Sequence, residues 1–208
     1  MIELYAIADH PGPPLPQVAP LRAVPAGGLA AICAPAEPQE VSPETLWRHE
    51  EVVEALMRDR DLLPVRYGTM LEDDAAVALA LDARGAELGI ALDRVRGAVE
   101  VSVRAVTAGV EDDLGVATTG VGYLRAKARA SMARETVARS LHEPLAALAR
   151  AAVQRPPGPP DELLRAAYLV DREAIGAFTR LVARLDERHP SLRLLCTGPW
   201  PPYSFAER

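Results

Sequence analysis

Residues 98–106, AVEVSVRAV, set Val99, Val101, Val103 and Ala105 on one face of an extended chain and Glu100, Ser102 and Arg104 on the other. A period of two commits the stretch to a half-buried strand, and a sheet with one apolar face needs a second layer to cover it. Helical patterns on either side supply that layer. Ser42-Pro43-Glu44 joins a hydroxyl cap to a proline at the first helical position and predicts a helix to about residue 60, carrying Leu46, Val53, Leu56 and Met57. Glu72-Asp73-Asp74 is an acidic start suited to a helix N-terminal dipole, and predicts a second helix to about Arg94.

The remaining punctuation gives the order. IELYAIA (2–8) reads as a strand stopped by PGPP; LRAV (21–24) and LAAICAP (29–35) read as a hairpin turning at Gly27-Gly28; DLLPV leads into a short strand that ends at Tyr67-Gly68. The first half is therefore βββαβαβ. After Gly109, a loop holding Gly115, Gly120 and Gly122 precedes a long helix predicted over 123–153, with Ala130, Ala133, Val137, Leu141, Leu145, Leu148 and Ala152 as its apolar stripe. Pro144 removes a backbone donor and predicts a kink or break at 142–144. RPPGPPDE (155–162) has linker composition. AAYLVD reads as a strand, REAIGAFTRLVARLDERH as an amphipathic helix with Ile175, Phe178, Leu181, Val182 and Leu185 inward, and LRLLCTGP as the last strand. The expected fold class is α+β, in two small domains, 1–108 and 109–208, the second carrying the long helix and the C-terminal tail.

Several classes of chemistry find no support in the residues. The formal net charge of −6 argues against nucleic acid as the main partner, because phosphate binding needs a concentrated basic face. His10, His49, His142 and His189 share no metal-ligand spacing, and RHEEVVEALM lacks the second histidine of a zinc-protease helix, so no metal is expected. No phosphate loop and no dinucleotide fingerprint stands in the chain. Cys33 and Cys196 sit in apolar strand-like runs and read as buried free thiols. No stretch approaches the roughly 20 apolar residues of a membrane helix, and MIELYAIA has no leader pattern, so a cytoplasmic protein without membrane insertion is expected. No catalytic residue and no cofactor is assigned, and the chain reads as not an enzyme.

Two segments stand out as contact surfaces. In LPVRYGTML, Val65, Arg66, Tyr67, Gly68 and Thr69 lie between an apolar strand and a Gly-Thr turn. Arg66 can be the structural partner of a carboxylate, Glu50 or Glu100, or part of a recognition edge. At 197–205, TGPWPPYSF holds three of the chain's nine aromatic residues, Trp200, Tyr203 and Phe205, on a proline-stiffened segment with little entropy to lose on docking. Those rings can pack on the protein's own domains or form a partner patch.

LYAIA, HEEVVEALM, LPVRYGTML, LDRVRGAVEVSVRAV, GYLRAKA and TGPWPPYSF, six blocks across nearly the whole chain, resemble in that order gas vesicle proteins of the F/L family. The proline-rich 11–20 and 155–160 segments look local to this chain. The resemblance implies an accessory or minor structural protein of the gas vesicle, a hollow gas-filled shell. It implies the main shell protein, with other gas vesicle accessory proteins, as partner, a place in the cytoplasm at the vesicle, a ferredoxin-like N-terminal domain, an α+β C-terminal one and no catalytic residues. The F and L forms are not separated by these blocks. A reading from another class is a ferredoxin-like regulatory module that binds a small ligand.

Overall fold

The computed structural model describes residues 1–107 and 120–206. It is α+β, as expected, with two sheets. In chain order the elements are β1 (Ile2–Asp9), β2 (Arg22–Ala26), β3 (Leu29–Pro35), α1 (Pro43–Met57), β4 (Leu62–Pro64), β5 (Met70–Leu71), α2 (Asp74–Val95) and β6 (Ala98–Thr107). They are followed by α3 (Gly120–Ala146), β7 (Ala151–Gln154), β8 (Glu162–Asp171), α4 (Ile175–Arg188), β9 (Leu192–Trp200) and a short α5 (Tyr203–Ala206).

The chain divides into two compact units, Met1–Val99 with the residues from Trp200 onward, and Glu100–Pro199. These bounds differ from 1–108 and 109–208 at both ends. The chain leaves the first unit inside β6, a continuous strand that no loop interrupts at residue 99, and the terminal aromatic segment returns to the first unit.

The first unit holds an antiparallel sheet of order β2-β3-β1-β4, with β5 also on β1. The β2–β3 hairpin turns at Gly27 and Gly28, both at positive φ, which glycine adopts without a Cβ clash. Pairing of β1 with β3 slips between Leu4 and Ala6, so Tyr5 is the extra residue of a bulge. Helix α1 starts at the expected cap, where the Thr45 N–H donates to Ser42 Oγ and the Ser42 N–H to Thr45 Oγ1. Its inner face is His49, Val52, Val53 and Leu56, spaced three and four apart, and α2 adds Val77, Leu81, Leu88, Leu92 and Val95.

The second unit orders its sheet β7-β8-β6-β9. Its core joins Val101, Val103 and Ala105 of β6 to Leu141 and Leu145 of α3, Tyr168 and Val170 of β8, and Phe178, Val182 and Leu185 of α4. Each fully buried large side chain of this kind contributes roughly 2 kcal/mol. The alternation read at 98–106 holds from Val101 to Ala105, but Glu100, expected on the polar face, is buried, and β6 lies in the second sheet and not the first, which corrects the βββαβαβ layer.

Two further expectations change. Residues 151–154 are a strand and not helix, because Ala151–Gln154 pairs antiparallel with Ala166–Leu169 of β8 and sheet pairing overrides the helical spacing. Helix α3 runs through Pro144 and ends at Ala146, so the helix stops two residues past the proline and not at 142–144. Of the glycine loop expected before residue 123, residues 109–119 lie outside the described residues, while Gly120 and Gly122 belong to α3 and not to a loop.

Candidate functional site

The first unit's polar centre is built around His49, which α1 aims inward on its apolar face and which is 2% exposed. Its Nε2 lies 2.9 Å from the Val65 carbonyl oxygen and its Nδ1 2.9 Å from Glu3 Oε1. The carbonyl can only accept, so Nε2 carries a proton. The ring stacks on Tyr5, with centroids 4.8 Å apart, and meets the edge of Tyr67 at 5.6 Å. The Tyr5 hydroxyl donates to Glu3 Oε2 at 3.2 Å, and burial, then the neighbouring Glu3 charge, pushes its pKa up to about 12.

This centre fixes the loop after β4. The Val65 N–H donates to the Tyr5 carbonyl and the Leu4 N–H to the Thr69 carbonyl, which ties both ends of the loop to β1 around the bulge. Within it, the Arg66 carbonyl accepts from the Thr69 N–H at 3.2 Å and from the Thr69 hydroxyl at 2.8 Å, and Gly68 stands at φ +80°. A positive φ at the third residue of a four-residue turn is the reason for glycine there. The consequence is that half-buried Tyr67 is held in the lining of a cleft of about 600 Å³, with Tyr5, His49, Arg48, Gly68 and the 34–39 segment among others.

Of the residues singled out from sequence, Tyr67 and Gly68 line this cleft, Val65 and Thr69 pin the turn through backbone and hydroxyl bonds, and Arg66 is exposed. Val41, which lines the cleft, and Leu46 and Trp47 of α1 are exposed apolar residues, Trp47 by 71%. The terminal rings are elsewhere in the first unit. Phe205 is 4% exposed, α5 packs on α2 and β4, and Trp200 stays 40% exposed. Tyr203 is half-buried near Glu50 and Glu54 of α1; burial, then the Glu50 charge, raises its pKa.

Sequence reading passed over His49 as a failed zinc ligand. Its spacing to Val52, Val53 and Leu56 was the available signal, since it puts the imidazole on the buried stripe.

The second unit has a polar centre of another kind. Glu162, wholly buried at its side chain, accepts from Arg104 Nε at 2.5 Å, from Arg165 Nε at 3.0 Å and from the Gly158 N–H. Burial alone would raise this carboxyl; the Gly158 N–H and the guanidiniums of Arg104 and Arg165 outweigh it and hold the pKa at about 2. Arg134 also donates to the Pro160 carbonyl. The 155–162 segment, read from composition as a linker, is therefore clamped at its end. Among the described residues no group of three or more His, Cys, Asp or Glu could hold a metal ion, and no helix is long and apolar enough to cross a membrane.

Residues 3–207 match a family model described as "Gas vesicle synthesis protein GvpL/GvpF". Gas vesicle protein L of Streptomyces sp. (strain CB03234) is 33% identical, over 91% of this chain and 79% of the relative; gas vesicle protein F of the same strain is 28% identical, over 98% of each. The fold is similar to the crystal structures of GvpF from Microcystis aeruginosa and from Anabaena sp. PCC7120. Each has a TM-score of 0.83 over 100% of this chain, with 19% and 21% identity over 99% and 97% of the respective chains.

Proposed function

The chain belongs to the GvpL/GvpF family of gas vesicle synthesis proteins, and on that premise we propose that it supports vesicle assembly by binding main shell protein subunits and catalyses nothing. The observation that carries the proposal is the pinned turn at 65–69. A buried histidine, a strand bulge and a glycine at positive φ all serve to hold one aromatic residue, Tyr67, in the lining of a cleft. Tyrosine beside arginine is the composition of an interface anchor, and Arg66 next to Tyr67 supplies it. Val41 adds an exposed apolar side chain to the same cleft, and Leu46 and Trp47 of α1 are exposed as well.

A subunit apolar enough to line a gas space exposes aggregation-prone surface before it assembles, so a partner that covers it transiently has a physical role. The protein would act in the cytoplasm at the growing vesicle, with other accessory proteins as further partners. Titration calorimetry of the full chain against shell protein or its peptides tests this. Binding should show a negative heat-capacity change and weaken only modestly with salt; no heat at any salt would reject direct recognition. The cleft volume also falls within the range of small-molecule sites, which favours the ligand-binding module as a second reading. A ligand-dependent rise in melting temperature in the absence of shell protein would support that reading instead.

A further inference from the structure

Helix α2 is apolar on both sides. Its inner face carries Leu81, Leu88, Leu92 and Val95, while the opposite face presents Leu79 and Ile90, 72% and 66% exposed, with exposed Ala83 and Ala86 between them. Positions 79, 83, 86 and 90 are four, three and four apart, the a/d spacing of a helix–helix seam, half a turn around from Leu81 and Leu88. A surface helix ordinarily shows charge on that side, and one that is apolar all round is covered. Gly89, flanking the seam, and Gly85, toward the inner face, would meet nothing within 4 Å if they carried a Cβ.

We propose that this seam is a self-association surface, on which a second copy of the chain lays its own α2 antiparallel about a two-fold axis. An isologous contact must fit itself, and this one does by size. Antiparallel pairing sets Leu79 against Ile90 of the second copy and Ala83 against Ala86, large at both ends and small at the crossing. It also fits by charge. The acidic Glu72-Asp73-Asp74 end comes beside the Arg94 and Arg96 end of the second copy, with the helix dipoles opposed. Parallel pairing would put acid on acid. Asp74 already meets Arg22, and Arg96 meets both Asp9 and Asp93, within the chain, so the ends contribute orientation through the opposed helix dipoles more than new ion pairs. The seam spans roughly 17 Å of helix, so a dimer in equilibrium with monomer is expected.

Sedimentation equilibrium on the full chain tests the proposal. The wild type should show a concentration-dependent dimer, and Leu79→Glu or Ile90→Lys alone should weaken it by at least about tenfold. Both positions are exposed, so each variant should keep the parental circular dichroism; Leu79→Ser and Ile90→Ser serve if it does not. Combining Leu79→Glu with Ile90→Lys should restore the dimer, because antiparallel pairing puts each new carboxylate opposite a new ammonium. A wild type that stays monomeric, single variants that dimerise normally, or a double variant that fails to recover would each overturn the proposal. So would a monomeric wild type whose seam variants lose shell-protein binding, which would assign the face to that partner.

Discussion

The two units each bury a polar centre, and the centres are used differently. In the second, Glu162 is sealed by two guanidiniums and a backbone N–H, and what it holds is its own chain, the proline-rich return into β8. In the first, His49 is equally buried, but what it holds is a turn whose next residues face a cleft. A satisfied buried network adds rigidity in both places. Only in the first unit is that rigidity passed to a surface aromatic. A perturbed carboxyl such as Glu162 is often the mark of a functional site; here it marks a loop clamp, and the histidine centre is the one that points outward.

Unfolding experiments can separate the two, because Trp47 lies in α1 of the first unit, and replacing Trp200, the last residue of β9, by Phe leaves Trp47 as the reporter of that unit. The largest effect is expected from Phe205→Ala. Emptying a site that is 4% exposed should cost about 3–5 kcal/mol and move the tryptophan-monitored transition. An unmoved transition would mean that the terminal segment does not belong to the first unit's core.

Glu162→Gln should come next, at about 2–3 kcal/mol, below the full cost of breaking a buried pair because Arg104 and Arg165 keep access to water. It should lower the stability of the second unit, followed by far-UV dichroism, and leave the tryptophan signal in place. Its folded pKa is depressed from 4.5 to about 2, so its contribution is present above the ordinary carboxyl range and is lost as pH falls through about 2. Glu162→Gln should flatten that part of the acid-unfolding profile; a profile of unchanged slope would break the clamp account.

His49→Phe keeps the stacking on Tyr5 but leaves Glu3 and the Val65 carbonyl without their partner, for about 1–3 kcal/mol. It should also loosen the 65–69 turn and speed amide exchange at Thr69.

Much of the architecture was legible because local pattern and tertiary use agree. The alternation from Val101 to Ala105, the Ser42-Pro43 start and the inward Phe178, Val182 and Leu185 all hold. Ala151–Gln154 was not legible. The 3–4 spacing of Leu141, Leu145 and Leu148 runs on into Ala152, and only pairing with β8 decides against a helix. Glu162 was hidden because its partner Arg104 lies 58 residues away. The Tyr67 turn was visible as a Gly-Thr signal, but the histidine that anchors it was not, since what identifies it is a face of α1 and a carbonyl 16 residues on.

The central claim is that Tyr67 is spent on recognition and Glu162 on the fold. Binding of shell protein to Tyr67→Ala and to Glu162→Gln, each measured well below its own melting temperature, tests it most directly. Tyr67→Ala should lose about 2 kcal/mol of binding, roughly thirtyfold, with less than about 1 kcal/mol lost in stability. Glu162→Gln should bind as the wild type does. Parental binding by Tyr67→Ala, or loss confined to Glu162→Gln, would contradict the account.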